Sequence, residues 1–138
     1  MKHLAFTGTQ QGMTEAQRVR FRHMMTRIRP EWFHHGDCIG ADAQAHDEMR
    51  PHAQIHIHPC TIDTKRAYKT GSVRIEEPLP PLERNRVLVD VSEELIATPK
   101  EMAEELRSGT WATIRYARKQ KKPVHICWPD GTYTGPIE

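Results

Sequence analysis

Strand-like and helix-like segments alternate from one end of this chain to the other, and that alternation restricts the fold more than any other feature of the sequence. His3–Thr7 reads as a short buried strand. Thr14-Glu15-Ala16-Gln17 has the capping-box pattern, and Phe21, Met24, Met25 and Ile28 follow at helical spacing until Pro30. Trp32–His35 is a second strand, stopped by Gly36; Ala41, Ala45 and Met49 then share one helix face, and Pro51 ends that helix. Gln54–His58 alternates with period two and stops at Pro59. Leu82, Val87, Leu88 and Val91 imply a helix over about 82–91. Glu94–Thr98 is a fourth strand, Ser108-Gly109-Thr110 opens a helix containing Trp111, Ile114 and Ala117, and Val124–Trp128 is a fifth strand. The pattern predicts an α/β fold: a single Rossmann-like three-layer domain over residues 1–138, with a mostly parallel five-stranded sheet. Thr132–Thr134 could add an antiparallel C-terminal edge strand after the turn at Pro129-Asp130-Gly131, within a tail over 129–138. Residues 60–82 lack a period and carry Gly71, Pro78, Pro80 and Pro81, so they are expected to form a long loop or lid. Residues 100–107 are expected to be charged and exposed.

Charge and cysteine usage narrow the function classes. The formal net charge is +2, from 20 basic and 18 acidic residues, which does not declare a nucleic-acid binder. Two runs are basic without an acid, residues 16–29 and 107–122; either they are solvated helix faces or they attract an anion. No window approaches the length of an apolar membrane span, and the N-terminus has no signal-peptide core. Cys38, Cys60 and Cys127 are far apart, with no C-x-x-C, so no disulfide framework is expected and a reducing, cytoplasmic setting follows.

In an open α/β sheet the ligand crevice lies beyond the carboxyl ends of the strands. Here those ends are followed by Gly8-Thr9-Gln10-Gln11-Gly12-Met13, by Gly36-Asp37-Cys38-Ile39-Gly40-Ala41-Asp42, and by Ser108-Gly109-Thr110. Glycine lets backbone approach a ligand, and a helix N-terminus offers unpaired N–H groups to an anion, so three such turns on one rim suit a phosphate-bearing molecule. Neither a P-loop nor a spaced G-x-G-x-x-G is present.

Three of these segments also carry a family resemblance. Gly36-Asp37-Cys38-Ile39-Gly40-Ala41-Asp42-Ala43-Gln44-Ala45-His46 resembles the glycine-rich segment of the DNA-processing protein DprA, Glu83-Arg84-Asn85-Arg86 resembles its Arg-Asn-Arg helix, and Ser108-Gly109-Thr110-Trp111-Ala112-Thr113 resembles its Ser-Gly-x-x-x-Thr helix start. The order and spacing agree over about residues 3–131, and the wider group is the SLOG superfamily, which joins DprA to the Lonely Guy phosphoribohydrolases. The likeness is nearest to short stand-alone SLOG proteins, and it implies binding of a nucleotide or ADP-ribose-like ligand, for sensing or sequestration, in a homo-oligomer. The Lonely Guy likeness, centred on Arg84, implies cleavage of an N-glycosidic bond or transfer of its sugar; the Glu those enzymes carry after the Gly loop has no counterpart between Gly109 and Lys122. Asp37 or Asp42 would have to replace it, with Arg84 assisting. The DprA likeness implies single-stranded nucleic-acid binding through Arg115, Arg118, Lys119, Lys121 and Lys122, although the length leaves no room for DprA's flanking domains.

The expected binding set is therefore Gly8, Thr9, Gln10, Gly12 and Met13 on one wall, Gly36, Asp37, Gly40 and Asp42 toward sugar or phosphate, and Arg84, Asn85, Ser108, Gly109, Thr110 and Trp111 on the other edge. Each has a plainer reading. Asp37 could hold an Asx-turn, Asp42 could bond His46 four residues on, Arg84 could pair with Glu83 or Glu94, and Trp111 could be core rather than a stacking surface. Lys65, Arg66 and Lys69 are read as solvated rather than as part of a lid, and Cys38 as packing rather than a reactive thiol. His34-His35 and His56-x-His58 could meet on adjacent strands, but His34 and His35 must point to opposite faces, and no cysteine or carboxylate completes an obvious set. No metal and no cofactor is expected.

Overall fold

Backbone pairing in the computed structural model, which describes residues 1–137, runs through seven strands rather than five. They are β1 (His3–Gly8), β2 (Trp32–His35), β3 (Gln54–Ile57), β4 (Arg74–Ile75), β5 (Glu94–Thr98), β6 (Val124–Cys127) and β7 (Tyr133–Thr134), in the spatial order β4-β3-β2-β1-β5-β6-β7. All neighbours pair in parallel except β6 and β7, the antiparallel edge foreshadowed at Thr132–Thr134. The added strand β4 lies inside the segment read as a loop. It is two exposed residues long and pairs only with β3, too short to show any period. Glu138, the last residue of the expected tail, lies outside the described residues.

The four α-helices are α1 (Glu15–Ile28), α2 (Ala41–Met49), α3 (Pro81–Asp90) and α4 (Gly109–Lys119). The capping box forms as the sequence implies: Thr14 Oγ1 accepts from the Gln17 amide at 3.0 Å, and Gln17 Oε1 accepts from the Thr14 amide at 3.2 Å. One face of the sheet buries Leu4, Phe6, Phe33, Ile55 and Ile57 against α1 and α2. The opposite face buries Ala5, Leu95, Ala97 and Ile126 against α3 and α4. This is the three-layer Rossmann-like arrangement. Among the described residues no helix is long and apolar enough to cross a membrane.

The chain steps outward from β1 through β2, β3 and β4, then returns to lay β5 on the other side of β1. The strand order thus reverses beside β1, and loops leaving the carboxyl ends of β1 and β5 diverge there and leave a crevice.

Candidate functional site

Three remote loops are locked together at that reversal point. The Thr9 amide donates to Thr98 O at 3.1 Å, and Thr9 O accepts from the Ala41 amide at 2.9 Å, tying the ends of β1, β5 and the start of α2 into one unit. Two glycines permit this closeness. A Cβ on Gly8 would collide with Thr98 and Ala41, and a Cβ on Gly40, whose φ is +90°, would collide with the Gln10 carbonyl.

The crevice has a volume of about 450 Å³, within the range of small-ligand sites. Of the residues expected from sequence, Gly8, Thr9, Gln10, Asp42, Arg84, Asn85, Ser108, Gly109 and Thr110 line it. Ser108 caps α4 by accepting the Trp111 amide on Oγ at 3.2 Å, and its carbonyl takes the Ala112 amide. The Gly109 and Thr110 amides belong to the first turn of α4 and have no intrahelical acceptor. A Cβ on Gly109 would meet nothing within 4 Å, so that backbone faces open space.

Arg84 is buried, and its guanidinium is held by backbone rather than by a carboxylate. Nη1 donates to Gly36 O at 2.9 Å and to His58 O at 3.1 Å, Nε donates to Asn85 Oδ1 at 3.0 Å, and Nη2 lies 3.6 Å from Cys38 Sγ. The ion pair weighed with Glu94 does not form; Glu94 contacts Lys2 and His125 instead. Asp42 Oδ2 accepts from the Gly36 and Cys38 amides, both at 3.1 Å, and so shapes the loop that carries them. Burial pushes the Asp42 carboxyl up to about 6, with Arg84 pulling it the other way. Burial likewise raises the Cys38 thiol to about 12, which leaves it protonated and unreactive at neutral pH.

The remaining expected residues do not line the crevice. Gly12 and Met13 sit against Gln44, and Met13 joins the core with its amide donating to Gln44 Oε1 at 2.6 Å. Gly36 packs against the Arg84 guanidinium. Asp37 is fully buried at φ +57°, where Oδ2 accepts from Arg66 Nη2 at 3.1 Å and Oδ1 accepts from the Lys69 amide at 3.0 Å. It anchors the 60–80 segment and does not line the crevice. Arg66 is therefore not merely solvated, and Lys69 pairs with Asp47 at 2.8 Å. His46 does not bond Asp42. The Asp37 amide donates to His35 Nδ1, which leaves His35 Nε2–H for His46 Nδ1 and His46 Nε2–H for Thr70 O, each link 2.8–2.9 Å long. Trp111 is core, 2% exposed and packed near Trp128, so it offers no stacking face.

Four charged groups on the crevice wall lie outside the expected set: Lys100, Glu105 and Arg107, which sequence reasoning missed, and Lys65, which was weighed for a lid and read as solvated. Lys100, Glu105 and Arg107 project from an irregular segment and Lys65 from a single 3-10 turn, too short for periodicity to mark an inward residue. With Arg84 the wall carries four cations against two carboxylates, Asp42 and Glu105, and Lys100 lies 3.9 Å from Glu105. As for metals, His34 and His35 do leave opposite faces. His34, however, meets His56 and His58 with ligand-capable atoms within 4.8 Å of one another, a gathering that the sequence reading left incomplete.

No protein-family model matches the sequence, and no curated protein matches it. Solved structures do. DNA processing protein A from Helicobacter pylori, described for its single-stranded DNA binding mode, matches with TM-score 0.63 at 19% identity over 91% of this chain. This chain spans 64% of that one, less than two thirds of its length. The molybdenum cofactor binding protein from Rippkaea orientalis matches with TM-score 0.69 at 14% identity, over 92% of this chain and 76% of that one. TM1055, a structural-genomics target, matches with TM-score 0.63 at 14% identity, over 90% and 72%. At these identities the likeness is one of fold: the chain shares the Rossmann-like α/β architecture of these structures.

Proposed function

We propose that this chain binds a nucleotide-derived, phosphate-bearing small molecule, such as a nucleotide or an ADP-ribose-like compound, for sensing or sequestration. One observation carries the reading: the open amides of Gly109 and Thr110, the Arg84 guanidinium, and Lys65, Lys100 and Arg107 converge on one crevice. A helix N-terminus and a guanidinium without a carboxylate partner are complementary to a phosphate. A fold neighbour named for binding the molybdenum cofactor lends support to a small-molecule ligand. Three buried free thiols are consistent with the reducing, cytoplasmic setting that we attach to this reading, together with a homo-oligomeric state from the superfamily likeness.

Calorimetry with AMP, ADP, ADP-ribose and adenosine tests the proposal. The phosphorylated compounds bind and adenosine does not, and Gly109→Asp removes binding by placing a carboxylate in open space beside the phosphate. Silence across the panel, or equal binding of adenosine, overturns it.

A second reading, cleavage of an N-glycosidic bond, is favoured by the two carboxylates on the same wall. Asp42, raised to about 6, and Glu105 are the candidates for protonating a leaving base or activating water. Base release from nucleoside monophosphates that is lost in Glu105→Gln supports it, and absence of any turnover removes it. The nucleic-acid reading loses part of its basis, since Lys122 Nζ donates to the Val89, Asp90 and Ser92 carbonyls and Arg115 pairs with Glu104 at 2.8 Å. We expect a blank gel shift with single-stranded DNA at low salt.

A further inference from the structure

The face of the sheet that buries Ala5 carries, further toward β3, a row of imidazoles. Ala5 and His34 are register partners, as are His34 and His56, so these side chains leave the same face. His58 follows His56 with their ring centroids 4.1 Å apart, and His34 lies 4.9 Å from His56 and 5.2 Å from His58 by the same measure. With His3, stacked on His34 at 5.1 Å, four histidines in contact is an unusual use of a sheet face, because each ring brings a donor and an acceptor that need partners.

Hydrogen bonding within the row leaves that requirement unmet. His3 Nδ1 contacts His34 Nε2 at 2.8 Å, and His34 Nδ1 contacts His58 Nε2 at 2.9 Å. The chain of contacts ends there. His58 Nδ1 and His56 Nε2 are both buried without a hydrogen-bond partner, and the nearest carboxylate oxygen to His56 Nε2, on Glu76, stands 3.6 Å away. Two orphaned ring nitrogens on neighbouring rings call for a further partner.

We propose that His34, His56 and His58 form a binding site for a divalent transition-metal ion of the zinc class. Imidazole nitrogen is the ligand type that such ions take, at about 2.0–2.1 Å, and three nitrogens already within 4.8 Å of one another need only small ring rotations to share an ion. The ion takes His34 Nδ1 in place of its contact with His58. His34 keeps His3 on its other nitrogen, which fixes the ring and its tautomer as an outer partner does in metal sites. Glu76, 3.6 Å from His56 Nε2 and paired with Arg74 at 3.2 Å, stands outside the three-histidine set. A cavity of about 280 Å³ lined by His58, Glu76 and Glu77 gives an ion a way in. Burial keeps the rings neutral at physiological pH, the form that ligates.

This site borders the phosphate crevice through Arg84, but it is tested without nucleotide, so its failure leaves that reading untouched. Chelator-treated full-length chain lacking a polyhistidine tag is titrated with cobalt(II), followed by visible absorption, and then with zinc(II) in competition. One equivalent of cobalt gives d–d absorption, zinc removes it, and zinc raises the melting temperature. The half-buried His56→Gln and the buried His58→Gln each abolish the absorption while far-UV circular dichroism stays unchanged. His3→Gln weakens binding roughly 10–100-fold. The exposed pair His23→Gln/His52→Gln leaves it intact. The proposal is overturned if the parent chain shows neither absorption nor a melting shift, or if the exposed pair accounts for both.

Discussion

Gly109 and Arg84 show how differently two residues of one crevice respond to substitution. Removing the Arg84 side chain strips hydrogen bonds from the buried Gly36 and His58 carbonyls, so Arg84→Ala costs roughly 2–3 kcal/mol of stability as well as ligand. Gly109 sits in open space at the first position of α4, where an acidic residue suits the helix dipole. Gly109→Asp therefore changes unfolding free energy by no more than about 0.5 kcal/mol in urea while removing nucleotide binding. Asp37 is the converse case. Asp37→Ala leaves Arg66 without its buried carboxylate and costs roughly 3 kcal/mol in the same assay, with nucleotide affinity preserved if the chain is folded. These distinctions were only partly legible in the sequence. Glycines, a cap and a helix dipole are local features, so Ser108, Gly109 and Thr110 could be placed on the crevice from their order alone. Whether Asp37 faces a ligand or a neighbouring segment depends on where Arg66 and Lys69 arrive, and nothing within the Gly36–Gly40 loop encodes that.

The 60–80 segment is an element built almost wholly from polar contacts. Asp37 receives Arg66 and the Lys69 amide, its carbonyl takes the Ala67 amide at 2.7 Å, and the His35–His46 relay ends on Thr70 O. Hydrophobic periodicity reports elements that pack an apolar face, so the strands and helices around the core were readable while this segment looked like a free loop. β4 escaped for the same reason. Amide hydrogen exchange distinguishes the two pictures: Asp37→Asn speeds exchange at Ala67 and Lys69 by at least about tenfold while α4 amides are unaffected, the energetic scale of one weakened charged hydrogen bond. Fast exchange at both amides in the parent chain would contradict the anchoring described.

At the scale of the whole molecule the buried histidines make stability depend on pH. Burial lowers His34 and His58 to about 3, from an ordinary value of 6.5, and holds His35 well below that ordinary value. Below pH 6.5 the unfolded chain takes up protons that the native chain refuses, so this stability is present above 6.5 and is lost as pH falls toward 3. Asp42 opposes the trend, because its carboxyl is raised from 3.8 to about 6 and its contribution is lost as pH rises through that value. Three histidines outweigh one carboxylate, and each excess proton is worth up to about 1.4 kcal/mol per pH unit. Urea unfolding of chelator-treated protein at pH 7 and pH 5 is expected to show lower stability at pH 5 with an unchanged m-value; equal or higher stability at pH 5 would contradict the burial of neutral rings. The same whole-molecule view unites the crevice, since its cations come from α3, from the segment after β3 and from the loop before α4. A crystal structure of the chain soaked with ADP-ribose examines that convergence most directly. Phosphate density within hydrogen-bonding distance of the Gly109 and Thr110 amides and of the Arg84 guanidinium is the predicted result, and nucleotide density outside this crevice, with the crevice itself holding only solvent, is the result that would contradict it.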